Sequence, residues 1–139
     1  MLKGHLIHPE LLRALGGAGH GAKVLLADGN YPVGTRAPAT ASRIYLNLAP
    51  GVLSVTDVLG VLVHAIPIEA AEVMVPAEGP EPPIFDEFRR LLDVELAALG
   101  RQPFYDAASS PDVAVVVATG ESRIYANLLL TIGVVAPPS

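Results

Sequence analysis

The sequence predicts a single α/β domain whose helices cover a largely buried sheet, and three observations support this fold class. Short apolar segments alternate with segments of helical periodicity, the strand candidates are mostly apolar, and no linker divides the 139 residues. Mostly apolar strands are typical of sheets covered on both faces, and strands that alternate with helices are typical of α/β domains. A chain of this length builds one hydrophobic core more readily than two, so residues 1–139 are predicted to form one domain.

Four segments have the features of helices. They are Pro9–Leu15, a segment from Thr56 or Asp57 to about Ala65, Ile84–Leu99, and Phe104–Ser109. The third is the clearest, because apolar residues from Phe85 to Leu99 share one helical face and Gly100 stands where a C-terminal glycine cap belongs. The first is followed by the glycine-rich segment GGAGHG, residues 16–21, which is predicted to end the helix.

Five apolar segments are predicted to be strands. They are Val24–Ala27, Ile44–Leu48, Glu72–Val75, Val113–Ala118 and Leu128–Val135. The valine-rich fourth segment has the strongest pattern, because β-branched residues favour strands. Gly29–Thr40 and Pro76–Pro83 are rich in glycine and proline and are predicted to be loops.

Composition and charge exclude several classes of function. The net charge is −5, and the nine Lys and Arg residues are scattered rather than grouped, so nucleic acid is not an expected partner. No apolar stretch approaches the roughly 20 residues of a membrane span, and the first residues do not resemble a signal peptide. We therefore expect no membrane partner and a cytoplasmic location. The absence of cysteine excludes disulfides and thiolate metal sites.

The apolar content of the chain predicts a homo-oligomer. Hydrophobic residues make up 51% of the sequence, and the mean hydropathy is +0.46. Small isolated domains seldom expose large apolar patches, so part of this surface is expected to meet another subunit.

His20 and Asp28 are the first candidate functional residues. His20 lies between Gly19 and Gly21 just before a predicted strand, and imidazole is suited to proton transfer near neutral pH; a solvated loop residue is the alternative interpretation. Asp28 ends that strand, where sites of open α/β sheets gather, although it could instead cap the Gly29–Asn30 turn. The glycines themselves are not a dinucleotide-binding loop, because they follow a helix and precede a strand, which reverses the required order.

The segment TGESRIYANLLL, residues 119–130, places polar side chains between two apolar strands. The Tyr125 hydroxyl can donate and accept, and the Asn127 amide offers both donors and an acceptor, which suits a ligand with many hydroxyl groups. No serine elbow or triad order indicates acyl transfer. No two histidines have the spacing of a helical metal pair, and no carboxylate completes a ligand set, so no metal site is predicted.

These motifs, in this order, resemble the ribose pyranase and L-fucose mutarotase family over nearly the whole chain. The resemblance begins with HPELLRALGGAGHG, residues 8–21, continues through VLLADGNYP, residues 24–32, and ends with TGESRIYANLLLTIGV, residues 119–134. The segment RQPFYDAA, residues 101–108, is closer to the fucose branch, which has an Arg before a Phe-Tyr pair. The pyranase branch tends to place a histidine there.

The resemblance implies a three-layer α/β/α sandwich with a mixed or mostly parallel sheet, assembled into a decameric ring with sites at subunit interfaces. By position, His20 and Tyr125 would be the catalytic proton-transfer pair. Asp28, Arg101 and Asn127 would bind sugar hydroxyls or orient the histidine. The resemblance implies no metal or organic cofactor.

The implied function is exchange between the α and β anomers of a free monosaccharide, with L-fucose as the leading substrate. Two alternatives remain open: a D-ribose pyranase, which exchanges pyranose and furanose, and a sugar-binding or regulatory ring without catalysis. The sequence departs from the family at Ala22, where an acidic residue is common, and in the loop Gly29–Arg43. The first departure favours the non-catalytic alternative, and the second leaves the sugar open.

Overall fold

The computed structural model describes residues 1–139, and the chain forms four helices and six strands. In chain order they are α1 Pro9–Gly16, β1 Lys23–Ala27, β2 Ser42–Tyr45, α2 Val55–Leu62, β3 Ile68–Met74, α3 Ile84–Leu91, β4 Leu96–Leu99, α4 Arg101–Ala108, β5 Val113–Ala118 and β6 Leu128–Ile132. None of the helices has the length and apolar character needed to cross a lipid bilayer.

The six strands form one mixed sheet in the order β2-β5-β1-β6-β3-β4. Strand β6 is antiparallel to both of its neighbours, β1 and β3, while the β1–β5, β2–β5 and β3–β4 pairs are parallel. Five strands therefore share one direction, and the amino end of β6 lies at the edge where those five strands end.

Helices cover both faces of this sheet, which confirms the predicted three-layer α/β/α fold. The larger core, of 21 buried residues, contains side chains of α1, α2 and α3, among them Leu11, Leu59 and Phe88. The smaller core, of 10 buried residues, contains Phe104 of α4 together with Tyr31 from the loop after β1. The central strands β1, β5 and β6 are thus buried on both sides, as their apolar sequences predict.

Several elements agree with the sequence prediction. Strand β5 has the predicted bounds, and α1 begins at Pro9 with His8 as its N-cap, whose Nδ1 accepts a hydrogen bond from the Leu11 amide at 3.2 Å. The GGAGHG segment ends α1 as predicted. Gly19 and Gly21 within it have φ angles of 81° and 83°, a left-handed backbone that glycine adopts without steric cost.

The predicted helix over Ile84–Leu99 is wrong in its second half. The helix stops at Leu91, because Leu92 is extended with φ −108° and ψ 147°, and Leu96–Leu99 form β4 at the edge of the sheet. Gly100 is the N-cap of α4 and not the C-cap of α3. The spacing of the leucines fits a helix equally well, but hydrogen bonds to β3 outweigh that preference.

Other element boundaries move by a few residues. Helix α2 begins with Ser54 as its N-cap, and Asp57 completes a capping box with it, so neither Thr56 nor Asp57 is the cap. The helix ends at Leu62. Strand β2 spans Ser42–Tyr45 and β3 begins four residues earlier than predicted, at Ile68.

Strand β6 ends at Ile132 and not at Val135. The side chains of Val134 and Val135 are exposed, together with several other large apolar side chains. These include Tyr45, Leu48, Val52, Leu53 and Ile124. They are the apolar surplus that the composition indicates.

Gly120 joins the loop that follows β5 to the loop that follows β2 through close main-chain contacts. Its amide donates to the Leu53 carbonyl at 2.9 Å, and its carbonyl accepts from the Gly51 amide at 2.6 Å. A Cβ atom on Gly120 would lie 2.4 Å from the Ala49 carbonyl oxygen and 2.5 Å from that of Val52. Only glycine therefore permits this contact.

We expect Gly120→Ala to lower the free energy of unfolding by about 1–3 kcal/mol, because backbone atoms must move apart to admit the methyl group. Gly60→Ala is the matched control: its Cβ would meet nothing within 4 Å in the middle of α2. There alanine should be neutral or stabilising by up to about 1 kcal/mol. Urea denaturation measures both values, and equal effects of the two substitutions would contradict the prediction.

Candidate active site

A cleft of about 190 Å³ opens at the edge of the sheet where the five parallel strands end. Loops that follow β1 and precede β6 line it, together with the end of β3 and one face of α4. Its lining residues are Asp28, Asn30, Tyr31, Met74, Arg101, Tyr105, Ile124, Tyr125 and Asn127. Pockets that bury drug-sized ligands usually hold about 300–1,000 Å³, so this cleft suits a smaller molecule.

Asp28 and Asn127 connect the two central strands at the floor of the cleft. The Asp28 amide donates to Asn127 Oδ1 at 2.8 Å, and Asp28 Oδ2 accepts from the Ala126 amide at 3.3 Å. The other carboxylate oxygen accepts from the Asn30 amide at 3.0 Å, as the predicted turn cap requires. Asp28 is therefore a turn cap and a cleft residue at once.

The burial of Asp28 alters its acidity. Loss of water around the carboxylate raises the pKa of Asp28 above its ordinary value, although hydrogen bonds from the Asn30 and Ala126 amides act in the opposite direction. Each oxygen still has a lone pair free for a ligand hydroxyl. The Asn127 amide group likewise remains free to donate, because only its oxygen is used by Asp28.

Tyr125 has a left-handed backbone, with φ 55°, and is the only non-glycine residue with a positive φ. Such a conformation is costly for an aromatic residue and is most often found at functional sites. The Tyr125 hydroxyl accepts a hydrogen bond from Arg101 Nη2 at 3.2 Å. Because Arg101 is the first residue of α4, this contact joins the loop before β6 to the helix.

The Thr-Gly-Glu element, residues 119–121, fixes the loop that carries Tyr125. Thr119 Oγ1 donates to the Ala27 carbonyl at 2.7 Å and accepts from the Glu121 amide at 3.2 Å. The Gly29 amide donates to the Glu121 carbonyl at 2.8 Å. These contacts hold the ends of β5 and β1 together, so the element has a structural role beside the cleft.

Glu121 and Arg123 form the main electrostatic contact of this loop. Glu121 is 2% exposed, and its carboxylate accepts from Arg123 Nη2 at 2.8 Å, from Arg123 Nε at 3.0 Å and from the Val55 amide at 3.3 Å. Arg123 also donates to Glu87 of α3 and to Thr56 of α2. One guanidinium therefore ties the loop before β6 to two helices.

Arg43 shapes the loop that follows β1. Its guanidinium donates to four main-chain carbonyls of the segment at 3.0–3.4 Å, those of Val33, Ala37, Pro38 and Ala41. Tyr31 of this loop donates through its hydroxyl to the Arg36 carbonyl at 2.7 Å and packs edge-on against Tyr105. The loop thereby forms one wall of the cleft.

His20 lies at the opposite edge of the sheet from the cleft. It precedes β1, and the neighbouring Gly21 amide donates to the carbonyl of Ile132, the last residue of β6, at 2.9 Å. At about 3.3 Å per residue, the five steps along the chain separate Lys23, at the start of β1, from Asp28 by roughly 16 Å. Within one chain, His20 therefore contacts neither Asp28 nor Tyr125.

The structure brings four of the five predicted site residues together. Asp28, Arg101, Tyr125 and Asn127 line one cleft, whereas His20 does not. The aromatic and apolar walls of the cleft, formed by Tyr31, Met74, Tyr105 and Ile124, are not predicted from the sequence. Neither is Glu69, whose carboxylate contacts His20 Nε2 at 3.2 Å. The two residues are 49 positions apart, so no local motif could have revealed the pair.

Comparison with known proteins identifies the family. The chain matches the RbsD / FucU transport protein family over residues 1–135. It belongs to this family. Among curated relatives, it is 33% identical to a fucose mutarotase of Danio rerio, over 99% of this chain and 96% of that protein. It is 28% identical to a D-ribose pyranase of Proteus mirabilis (strain HI4320), over 96% of this chain and 99% of that protein.

Two solved structures share the fold of this RbsD / FucU family member. A fucose mutarotase of Streptococcus pneumoniae in complex with L-fucose superposes with a TM-score of 0.80 and 27% identity, covering 94% of this chain and 95% of that one. RbsD of Bacillus subtilis complexed with D-ribose superposes with a TM-score of 0.81 and 27% identity, covering 98% and 100%.

The Glu121–Arg123 contact predicts a pH-dependent contribution to stability. Burial by itself raises the pKa of Glu121, but the hydrogen bonds from Arg123 and Val55 lower the pKa below its ordinary value. A lowered pKa in the folded state means that the carboxylate stabilises the fold above the pKa of the unfolded chain. This contribution is lost as the pH falls through the lowered pKa.

We expect Glu121→Gln to lower the free energy of unfolding at pH 7 by about 1–3 kcal/mol, as for a lost hydrogen bond to a charged group. The difference from the unsubstituted protein should shrink below about pH 4, where the glutamate of the unfolded chain becomes protonated first and the folded one follows at its lowered pKa. Urea denaturation at both pH values measures this. Glu87→Gln, at the exposed partner of the same arginine, is the control and should cost no more than about 1 kcal/mol. A difference that stays constant with pH would contradict the assignment.

Proposed function

We propose that this protein is a monosaccharide mutarotase that interconverts the α and β anomers of a free sugar, with L-fucose as its substrate. The observation that carries the proposal is the cleft, in which Asp28, Arg101, Tyr125 and Asn127 present hydrogen-bonding groups around a small volume beside aromatic walls. Many hydroxyl groups and a few apolar carbons are what such a cleft recognises. Membership of the family and the similarity to fucose mutarotases support an isomerase acting on carbohydrates.

The reaction needs two proton transfers. One group removes the proton of the anomeric hydroxyl while another delivers a proton to the ring oxygen, and the bond between the anomeric carbon and the ring oxygen breaks. The open-chain aldehyde then rotates and closes from its other face, with the same transfers in reverse. General acid–base catalysis contributes about 10²–10⁴-fold per group, which is sufficient for a reaction that already occurs in water.

The geometry of Tyr125 suits the group that delivers a proton. Its hydroxyl oxygen accepts from Arg101, so the hydroxyl proton is free to point toward a sugar oxygen in the cleft. The positive charge of the guanidinium also stabilises negative charge that develops on the phenol oxygen as the proton leaves. Tyr125 is therefore the proposed acid of ring opening and Arg101 its positioning residue.

Asp28 and Asn127 are the proposed sugar-binding residues, together with Arg101, which also lines the cleft. The carboxylate of Asp28 accepts hydrogen bonds from sugar hydroxyls, and the amide group of Asn127 donates to sugar oxygens. Both side chains are held by hydrogen bonds at the ends of β1 and β6, so they are placed before the sugar arrives. Little conformational entropy is then lost on binding.

His20 is the proposed proton acceptor, supplied by a second copy of the chain. Because His20 lies at the other edge of its own sheet, one subunit alone presents only the tyrosine half of the pair. The exposed apolar side chains around residues 45–53 and at Ile124 support an assembly that places the His20 edge of one copy over the cleft of another. The proposed assembly is the decameric ring expected from the sequence, in the cytoplasm.

D-ribose pyranase is the second candidate. The similarity to a D-ribose pyranase and to RbsD complexed with D-ribose favours it, and the same two proton transfers would exchange pyranose with furanose. The third candidate is a non-catalytic sugar-binding ring, which Ala22 favours and the intact set of cleft residues opposes.

NMR magnetisation exchange between anomeric protons distinguishes these candidates. With the purified protein and a panel led by L-fucose and D-ribose, we expect faster α/β exchange for L-fucose than in buffer alone. Exchange confined to ribose pyranose and furanose would instead establish the pyranase. Binding of a sugar without any acceleration would support the non-catalytic ring and contradict the proposal.

We expect His20→Ala and Tyr125→Phe each to slow anomer exchange by about 10²-fold or more while leaving the oligomer intact. If each site combines His20 of one chain with Tyr125 of another, co-expression of the two variants restores intact sites. If the two variants are present in equal amounts and assemble at random, ~25% of the sites contain both an intact His20 and an intact Tyr125.

Differently tagged chains, purified through both tags, provide these mixed oligomers. The control is co-expression of His20→Ala with a chain that carries both substitutions, from which no intact site can form. Inactive mixed oligomers would show that the pair does not act across subunits, and full activity of both single variants would overturn the catalytic assignment.

A further inference from the structure

The carboxylate of Glu69 contacts the ring of His20 at the edge of the sheet opposite the cleft. Both carboxylate oxygens lie 3.2 Å from His20 Nε2. Nδ1 of the same ring makes no hydrogen bond within the chain. The imidazole therefore has one nitrogen directed to a carboxylate and the other left for a ligand or a second subunit.

Two features of the backbone hold Glu69 in place for this contact. Glu69 lies at a break in the register between β3 and β6, between the pairs Ile68–Ile132 and Ala70–Thr131. Such irregularities redirect a side chain out of the regular alternation of a strand. Gly133 packs directly on Glu69, and a Cβ atom on that glycine would come within 3.3 Å of the Glu69 Cβ.

The backbone of His20 is equally constrained. Its flanking residues, Gly19 and Gly21, both have positive φ angles, and the Gly21 amide is bonded to the carbonyl of Ile132. The last residue of β6 thus holds the histidine turn, and the same strand pairs with β3 on its other side. The distance between ring and carboxylate is consequently set by the sheet and not only by two flexible side chains.

The chemistry of the contact fixes the tautomer of the ring. An ionised carboxylate has only acceptors, so a hydrogen bond to Nε2 requires the proton to be on Nε2. In the neutral ring, Nδ1 then carries the free lone pair. A histidine held in this way accepts a proton at Nδ1, and the carboxylate stabilises the imidazolium that forms.

We infer that Glu69 is a positioning residue that holds His20 with Nε2 protonated, so that Nδ1 is the atom that exchanges a proton with the sugar. The inference rests on the proposed function. Glu69 supplies the carboxylate that orients the His20 ring, because the sequence around His20 has none. In ring opening, the proton moves from the anomeric hydroxyl to Nδ1, while the proton on Nε2 stays in the hydrogen bond to Glu69. Closure returns the proton from Nδ1 to a sugar oxygen.

Stability does not account for the pair. Both side chains are about half exposed, and such ion pairs contribute little to the free energy of unfolding. A second pair joins Glu72, three residues further along β3, to Lys23 of β1 at 3.2 Å and includes no histidine. Glu72 therefore provides a matched control for a lost carboxylate on β3.

The test compares Glu69→Gln, Glu69→Asp and Glu72→Gln by anomer exchange over a range of L-fucose concentrations. A glutamine can either accept from or donate to Nε2, so it no longer dictates the tautomer. We expect Glu69→Gln to lower the rate at saturating sugar by about tenfold or more without raising the half-saturating concentration. Glu69→Asp should recover part of the rate, and Glu72→Gln should leave it unchanged.

Ring nitrogen shifts of His20, from long-range proton–nitrogen correlation spectra, provide a readout independent of activity. The unsubstituted protein and Glu72→Gln should show Nε2 protonated and Nδ1 bare, whereas Glu69→Gln should show a mixture of tautomers. His20→Ala identifies the signals and is the reference for the rate.

The outcomes separate the inference from the proposed function. If His20→Ala abolishes exchange while Glu69→Gln keeps the full rate and the same tautomer, the role of Glu69 is overturned and the mutarotase remains. If His20→Ala keeps the full rate, the catalytic assignment fails and the inference fails with it. Equal losses in Glu69→Gln and Glu72→Gln would likewise overturn a specific role for Glu69.

Discussion

The hydrogen bonds between Asp28 and residues 126–127 are the constraint on which the cleft depends. They hold the end of β1 against the start of β6, which runs in the opposite direction, and so bring residues almost 100 positions apart onto one floor. Tyr125 directly precedes this junction, and its left-handed backbone is maintained because the chain is fixed on both sides, by Asp28 after it and by the Glu121–Arg123 contact before it.

The sequence predicts the fold well where a segment is continuously apolar and buried. It predicts the fold less well where a segment is short and lies at the edge of the sheet. Val113–Ala118 lies inside the sheet between β2 and β1, and its valines have no plausible alternative to a buried strand. Leu96–Leu99 is an edge strand of four residues, and its leucines continue the helical spacing of α3. Pairing with β3 decides whether this segment is a strand or a continuation of the helix, and the local sequence does not show that pairing.

The residues of the candidate site can be predicted from the sequence where they lie next to the ends of strands. Asp28 and Asn127 come together because the end of a strand and the start of its antiparallel neighbour share an edge, and Arg101 follows β4 to the same edge. His20 precedes the strand that Asp28 follows, so within one chain the length of β1 separates it from these residues. Glu69 lies in a segment without a motif, and its contact with His20 arises from an irregular strand pairing.

The way in which Arg43 holds the loop after β1 has a consequence for substrate range. Each of its hydrogen bonds goes to a main-chain carbonyl, so the restraint that Arg43 places on residues 33–41 does not use their side chains. Arg43 on β2 therefore helps to fix the backbone of this wall without determining which side chains the wall presents to the cleft. Side chains on the loop other than Tyr31 can be exchanged, one at a time, to alter which hydroxyl pattern is accepted while the sheet and the other cleft residues stay as they are. The loop is the natural place to begin re-engineering this protein toward another sugar.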